Sequence, residues 1–206
     1  SGDGAQLAPG TGPDGSQAVT LQSAGSANQP GAASYIRRDL PEGESTLHVA
    51  FDLDARELDP GATRLATFTS ADSSAIAALY LLPDGTLGVR FGESDSLAPV
   101  GSLDLSIWNR IEIGISAGPT GGDMTVWVNG QFSGSATTAA VTAEPRSILI
   151  GGWATDRTYD LLVDNVAIDR GCLSGCPEAP APTATTTPEP AQDVPVAPEP
   201  GTPVSG

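Results

Sequence analysis

The chain is patterned in short runs in which apolar and polar residues alternate, and no stretch of ten or more residues keeps a helical period. Leu47, Val49, Phe51 and Leu53 alternate with His48, Ala50, Asp52 and Asp54; Ile111, Ile113 and Ile115 alternate with Arg110, Glu112 and Gly114. Successive side chains of an extended segment point to opposite faces, so each run buries one face and leaves the other toward water. Strands are predicted at residues 17–22, 34–38, 46–54, 64–70, 75–82, 86–91, 108–116, 123–129, 147–151 and 159–169. Turn residues fall between them. Pro83-Asp84-Gly85 predicts a tight hairpin, and Asn129-Gly130 is the dipeptide best able to take positive φ at two adjacent positions. Short strands with polar turns, and no helices to cover a parallel sheet, predict an all-β fold of two antiparallel sheets packed face to face as a β-sandwich.

The alternation begins after residue 16 and ends near residue 170. Residues 1–16 are Gly-rich and polar and are expected to be flexible; residues 17–170 form the sandwich. Residues 171–176 make a terminal loop in which Cys172 and Cys176 enclose three residues. A local disulfide is the leading reading of that spacing, with free thiols, metal binding or intermolecular cross-linking as alternatives. Residues 177–206 hold nine of the 18 prolines and no basic or aromatic residue. Such a segment buries too little apolar surface to offset the entropy of ordering, so a disordered or extended linker or stalk is expected. The threonines at 183, 185, 186 and 187 before Pro188 resemble O-glycosylated stalks, and a plain linker explains them equally well.

Charge narrows the partners. The 206 residues carry 25 acidic and 9 basic side chains, a net charge of −16, which opposes binding to a phosphate backbone and argues against nucleic acid. No apolar run reaches the roughly eighteen residues of a membrane-spanning helix. The paired cysteines and the Pro/Thr-rich tail favour an oxidising compartment, hence a secreted or cell-surface protein. The sequence opens at Ser1, and any secretion signal is taken to lie outside it.

Several segments in succession carry a family likeness. Trp108-Asn109-Arg110-Ile111-Glu112-Ile113 is followed by Met124-Thr125-Val126-Trp127-Val128-Asn129-Gly130, by Ile148-Leu149-Ile150-Gly151-Gly152 and by Leu162-Val163-Asp164-Asn165-Val166-Ala167-Ile168. Their order and spacing, over residues 19–169, resemble the laminin G-like branch of the concanavalin A-like jelly rolls. The resemblance implies a curved two-sheet jelly roll with its first and last strands side by side. It also implies a binding role toward glycans or proteins, sometimes through calcium, or an accessory or structural role. The family also contains glycoside hydrolases and lyases. The best-known of these place carboxylates as E-x-D-x-x-E on one strand, because a retaining reaction needs two carboxyl groups about 5 Å apart. No such arrangement occurs here, and His48, the single histidine, points outward by phase with no nucleophilic partner.

Three aromatic residues are candidates for stacking on a sugar: Trp127, out of phase with Met124, Val126 and Val128; Trp153, after Gly151-Gly152; and Tyr159. Structural packing is the competing reading for each tryptophan. If Leu162, Val166 and Ile168 face the core, Asp164 shares their phase and needs hydrogen-bond donors, an arginine or a cation. Backbone donors are one solution and calcium the other. The sequence therefore reads as a non-catalytic extracellular recognition module for a glycan or a surface protein. A self-associating subunit of a surface layer or filament is the alternative, and a glycoside hydrolase the third.

Overall fold

The computed structural model describes residues 4–25, 31, 33–94, 96–118, 120–139, 143–152, 157–171 and 173. Trp153, Cys172, Cys176 and the segment 177–206 lie outside the described residues. Among the described residues there are thirteen strands: β1 (Gly4–Ala8), β2 (Ala18–Ala24), β3 (Ser34–Asp39), β4 (Thr46–Leu58), β5 (Thr63–Thr69), β6 (Ala75–Leu81), β7 (Thr86–Phe91), β8 (Ala98–Ser102), β9 (Asn109–Gly118), β10 (Gly121–Val128), β11 (Gln131–Thr138), β12 (Ser147–Gly152) and β13 (Thr158–Asp169). They form two antiparallel sheets, ordered β1-β2-β13-β4-β9-β10-β11 and β3-β12-β5-β6-β7-β8. Among the described residues there is no helix, and hence none long and apolar enough to cross a membrane.

The alternation determines this packing. From the seven-stranded sheet Leu47, Val49, Phe51 and Leu53 of β4, Ile111, Ile113 and Ile115 of β9, and Met124 and Val126 of β10 point inward. They meet Phe68, Leu79, Leu81, Leu87, Val89, Ile148 and Ile150 of the six-stranded sheet. Each such side chain contributes about 1.5–3 kcal/mol by leaving water. The predicted hairpins form. Asn129 and Gly130 take φ of 52° and 77° between β10 and β11, and Gly85, at φ 86°, donates to the Leu82 carbonyl at 3.0 Å. β2 and β13, early and late in the chain, pair directly, as the resemblance implies.

Each of the ten predicted strands corresponds to an observed one. The N-terminal segment needs correction: part of what was expected to be flexible, Gly4–Ala8, forms β1 on the edge of the seven-stranded sheet. β8 and β11 were not predicted either. Both lie at sheet edges, and there the two sheets approach by backbone. A Cβ on Gly134 of β11 would fall 2.6 Å from the Val100 carbonyl oxygen of β8, so only glycine allows the contact.

A bulge in β13 changes which of its residues face inward. Asp164 pairs with Asp52 and Ala167 with Ala50, so Asn165 and Val166 together oppose Phe51. Asn165 takes φ 48°. Tyr159, Leu161 and Val163 therefore enter the core before the bulge, and Ile168 packs against it after. The expected inward set of Leu162, Val166 and Ile168 is split: Leu162 is buried on the outer face and Val166 is 40% exposed.

Candidate binding site

The candidate aromatic residues are more enclosed than their phase suggested. Trp127 does lie on the outer face of the seven-stranded sheet, between Glu112 of β9 and Phe132 of β11, but it is only 6% exposed. Its ring and that of His48 lie with centroids 5.9 Å apart, both against Gly114, where a Cβ would meet each within 3.3 Å. Trp127 is thus a packed ring and not an open platform for a sugar. What remains open beside it is a hollow of about 120 Å³ shared with His48, Thr125 and Asp123. Burial there holds the Asp123 carboxyl above the usual carboxylate range.

Tyr159 is a clear correction. Before the bulge its phase is inward, so the ring is 2% exposed, and its hydroxyl accepts from Ser34 N–H at 3.1 Å and donates to the Gly152 carbonyl at 2.9 Å. It joins the two sheets and presents no ring face to a ligand.

Glu112, alone on its strand in sequence, is 2% exposed and organises the outer face. Its Oε1 lies 3.3 Å from His48 Nδ1 and accepts the Leu173 N–H at 2.9 Å, so the segment after β13 is tied onto the sheet beside Trp127.

Asp164 sits on the outer face of β13, directly opposite Asp52. Two carboxylates so placed repel unless donors intervene, and every oxygen has one. Asp164 accepts from the Ser16 hydroxyl and from Asn165 N–H. Asp52 accepts from Arg110 Nη1 at 3.3 Å and Asn165 Nδ2 at 2.6 Å. Hydrogen-bond donors thus reach both carboxyl oxygens of Asp164. Among the described residues no three His, Cys, Asp or Glu side chains are grouped so as to hold a metal ion between them.

A second hollow lies where sequence reasoning placed nothing. A groove of about 580 Å³ runs between the β7–β8 connection and the end of β11, within the size range of small-ligand sites. Val89, Phe91 and Ala136 form its apolar floor; Glu93, Ser94, Ser96 and Thr137 are exposed on its walls. Ser94 and Ser96 hydroxyls stand 3.0 Å apart, and Gly92 N–H, bonded to the Ile76 carbonyl at 2.9 Å, fixes the loop to β6. One partly buried ring beside hydroxyls and a carboxylate is chemistry suited to a polyhydroxylated ligand. The signal available in sequence was the Asn129-Gly130 hairpin, which requires a return strand and so places the hydroxyls of residues 135–138 at an edge.

No protein-family model matches the chain, and no curated protein matches it in sequence. Solved structures share its fold. A Trypanosoma rangeli sialidase in complex with sialic acid is similar at a TM-score of 0.56 and 14% identity, over 82% of this chain and 27% of that one. The binding domain of botulinum neurotoxin DC in complex with SialylT gives 0.55 at 14%, over 84% and 42%. Domain 4 of AbnA, a GH43 extracellular arabinanase from Geobacillus stearothermophilus, in complex with arabinotriose, gives 0.51 at 18%, over 81% and 75%. The chain spans 15% of the length of another sialidase that it matches. At these identities the likeness is one of fold. The chain is a two-sheet antiparallel β-sandwich.

Proposed function

We propose that the chain is a non-catalytic glycan-binding module and that the groove between the β7–β8 connection and β11 is its binding site. The observation that carries this reading is the groove itself: a hollow of about 580 Å³ floored by Phe91 and walled by serine and threonine hydroxyls with Glu93. The fold adds support, because the toxin domain and the arabinanase domain with the same architecture are solved with sugars bound. The fully paired oxygens of Asp52 and Asp164 also favour binding over hydrolysis, since no free acid and base pair remains there. The acidic chain and the Pro/Thr-rich stretch 177–206 fit display outside the cell on a spacer.

The test is retention on a panel of immobilised neutral glycans, repeated with Phe91→Ala and Thr137→Val. Retention of the parent protein, weakened about tenfold by either change, is expected. Binding unaffected by both substitutions would remove the groove, and no retention by any glycan would remove the reading. A self-associating subunit is the second reading, favoured by edge strand β1, which carries Leu7 at 67% exposure. Light scattering that shows growth with concentration, abolished by Leu7→Lys, would support it.

A further inference from the structure

The hollow beside Trp127 and the groove are separate spaces, but the register of the seven-stranded sheet joins them. On its outer face Thr46 of β4, Ser116 of β9, Asp123 of β10 and Thr137 of β11 are successive cross-strand partners. They form one rung. Opposed residues of neighbouring strands share a face, so the rung runs unbroken from β4 to β11. Thr46, Ser116 and Asp123 line the hollow, and Thr137 is a wall of the groove.

The next rung makes the floor. His48, Gly114, Thr125 and Ser135 pair in the same order, and the missing side chain of Gly114 opens the space. A Cβ there would stand 3.1 Å from His48 Cε1 and 3.2 Å from Trp127 Cζ3, so the base is apolar, edged by two rings and ringed by hydroxyls. Thr46 and Ser116 are exposed, and Asp123 and Thr125 are half-buried. Their polar atoms are open to a ligand. Asp123 has no hydrogen-bond or ion-pair partner among the described residues, and burial alone moves its carboxyl.

At about 120 Å³ the hollow is smaller than a self-standing small-ligand site. It suits an extension of one. Thr137 and Gly114 lie two strand spacings apart, about 10 Å, which is further than one sugar ring reaches. A sugar would set its C–H face against the apolar base while its hydroxyls exchange hydrogen bonds with Ser116, Thr125 and Asp123. Among the described residues no arginine lines the hollow or the groove, and each has a carboxylate, Asp123 in one and Glu93 in the other. Two carboxylates without a facing guanidinium disfavour an acidic sugar.

We propose that the hollow over Gly114 is a second saccharide subsite, continuous with the groove across the Thr137–Asp123–Ser116 rung, and that the ligand is a neutral linear oligosaccharide long enough to fill both. This inference rests on the glycan-binding reading of the groove.

The test uses the full chain, titrated with xylohexaose, laminarihexaose and maltohexaose and with the disaccharide of each. His48 is the single histidine, so its ring resonances report on the hollow without ambiguity. At least one hexasaccharide is expected to shift them and to bind about tenfold more tightly than its disaccharide, the scale of a few added hydrogen bonds. Ser116→Val, and Gly114→Ala, which places a methyl between the rings, should each bring that hexasaccharide down to the affinity of its disaccharide and leave the disaccharide unchanged. The shifts in the unmodified protein decide the matter even if Gly114→Ala fails to fold. A hexasaccharide that binds with the His48 signals unmoved, whether or not it binds more tightly than its disaccharide, overturns the second subsite and leaves the groove standing. No binding by any of these sugars overturns the glycan reading and this inference with it.

Discussion

Tyr159 carries its ring into the core and its hydroxyl to the opposite sheet, so Tyr159→Phe keeps the packing and deletes one atom. Ser34 N–H and the Gly152 carbonyl then lose their shared partner in a dry space. A loss of about 1–2 kcal/mol is expected, read as a lower midpoint in urea with an unchanged slope. Asp123 offers the opposite sign. Burial raises its carboxyl above the usual range, so ionisation costs the folded state more than the unfolded one. That cost is absent below the unfolded value, near pH 4, and sets in as pH rises through the raised folded value. Asp123→Asn should therefore raise Tm at neutral pH and leave it unchanged near pH 3. Trp127 and Tyr159 also mark what phase can and cannot tell. Alternation assigned Trp127 to the outer face correctly, but whether a face is covered depends on His48 and Phe132, which alternation does not link to it. Tyr159 was misread because the bulge that sets its phase lies later in the strand, at an asparagine free to take positive φ.

Turns and edges decide the behaviour of the elements. Asp14, Asp72, Asp84 and Asp104 each accept an N–H from the residue two positions on. Their carboxyls are held below the usual range, through the Ser16, Ser70 and Ser106 hydroxyls for Asp14, Asp72 and Asp104 and the Thr86 N–H for Asp84. Folded values below the unfolded ones give stability that is present above about pH 4 and is lost as pH falls toward the depressed values. A Tm that declines below pH 4, less steeply once Asp84 and Asp104 are asparagines, is the expected result of melting across that range. Strand pairing explains how much of the architecture could be read beforehand. Nine of the ten predicted strands are interior, buried on the core side and paired on both edges, and carry the alternation that revealed them; the tenth, β3, is a sheet edge. β1, β8 and β11 are each edge strands; they bury less, and β8 carries Pro99 and β11 Gly134, residues that argue locally against a strand. The groove was hidden for the same reason, since its walls come from β11 and from the connection into β8.

At the scale of the molecule, the surplus of acid matters most. With −16 on 206 residues, repulsion between exposed carboxylates favours the expanded chain, and salt screens it over about 8 Å at physiological ionic strength, against 30 Å at 0.01 M. Raising sodium chloride from about 10 to 150 mM should increase Tm, as scanning calorimetry would measure; a flat response would mean that the carboxylates are locally compensated. The groove floored by Phe91 has one wall from each sheet, β7–β8 from one and β11 from the other. Anything seated there acts as a rivet through both layers, and a rivet cannot be kept while the layers part. Occupancy then enters the unfolding equilibrium of the entire sandwich, rising as RT ln(1 + [L]/Kd), so heat resistance itself becomes a gauge of how full the groove is.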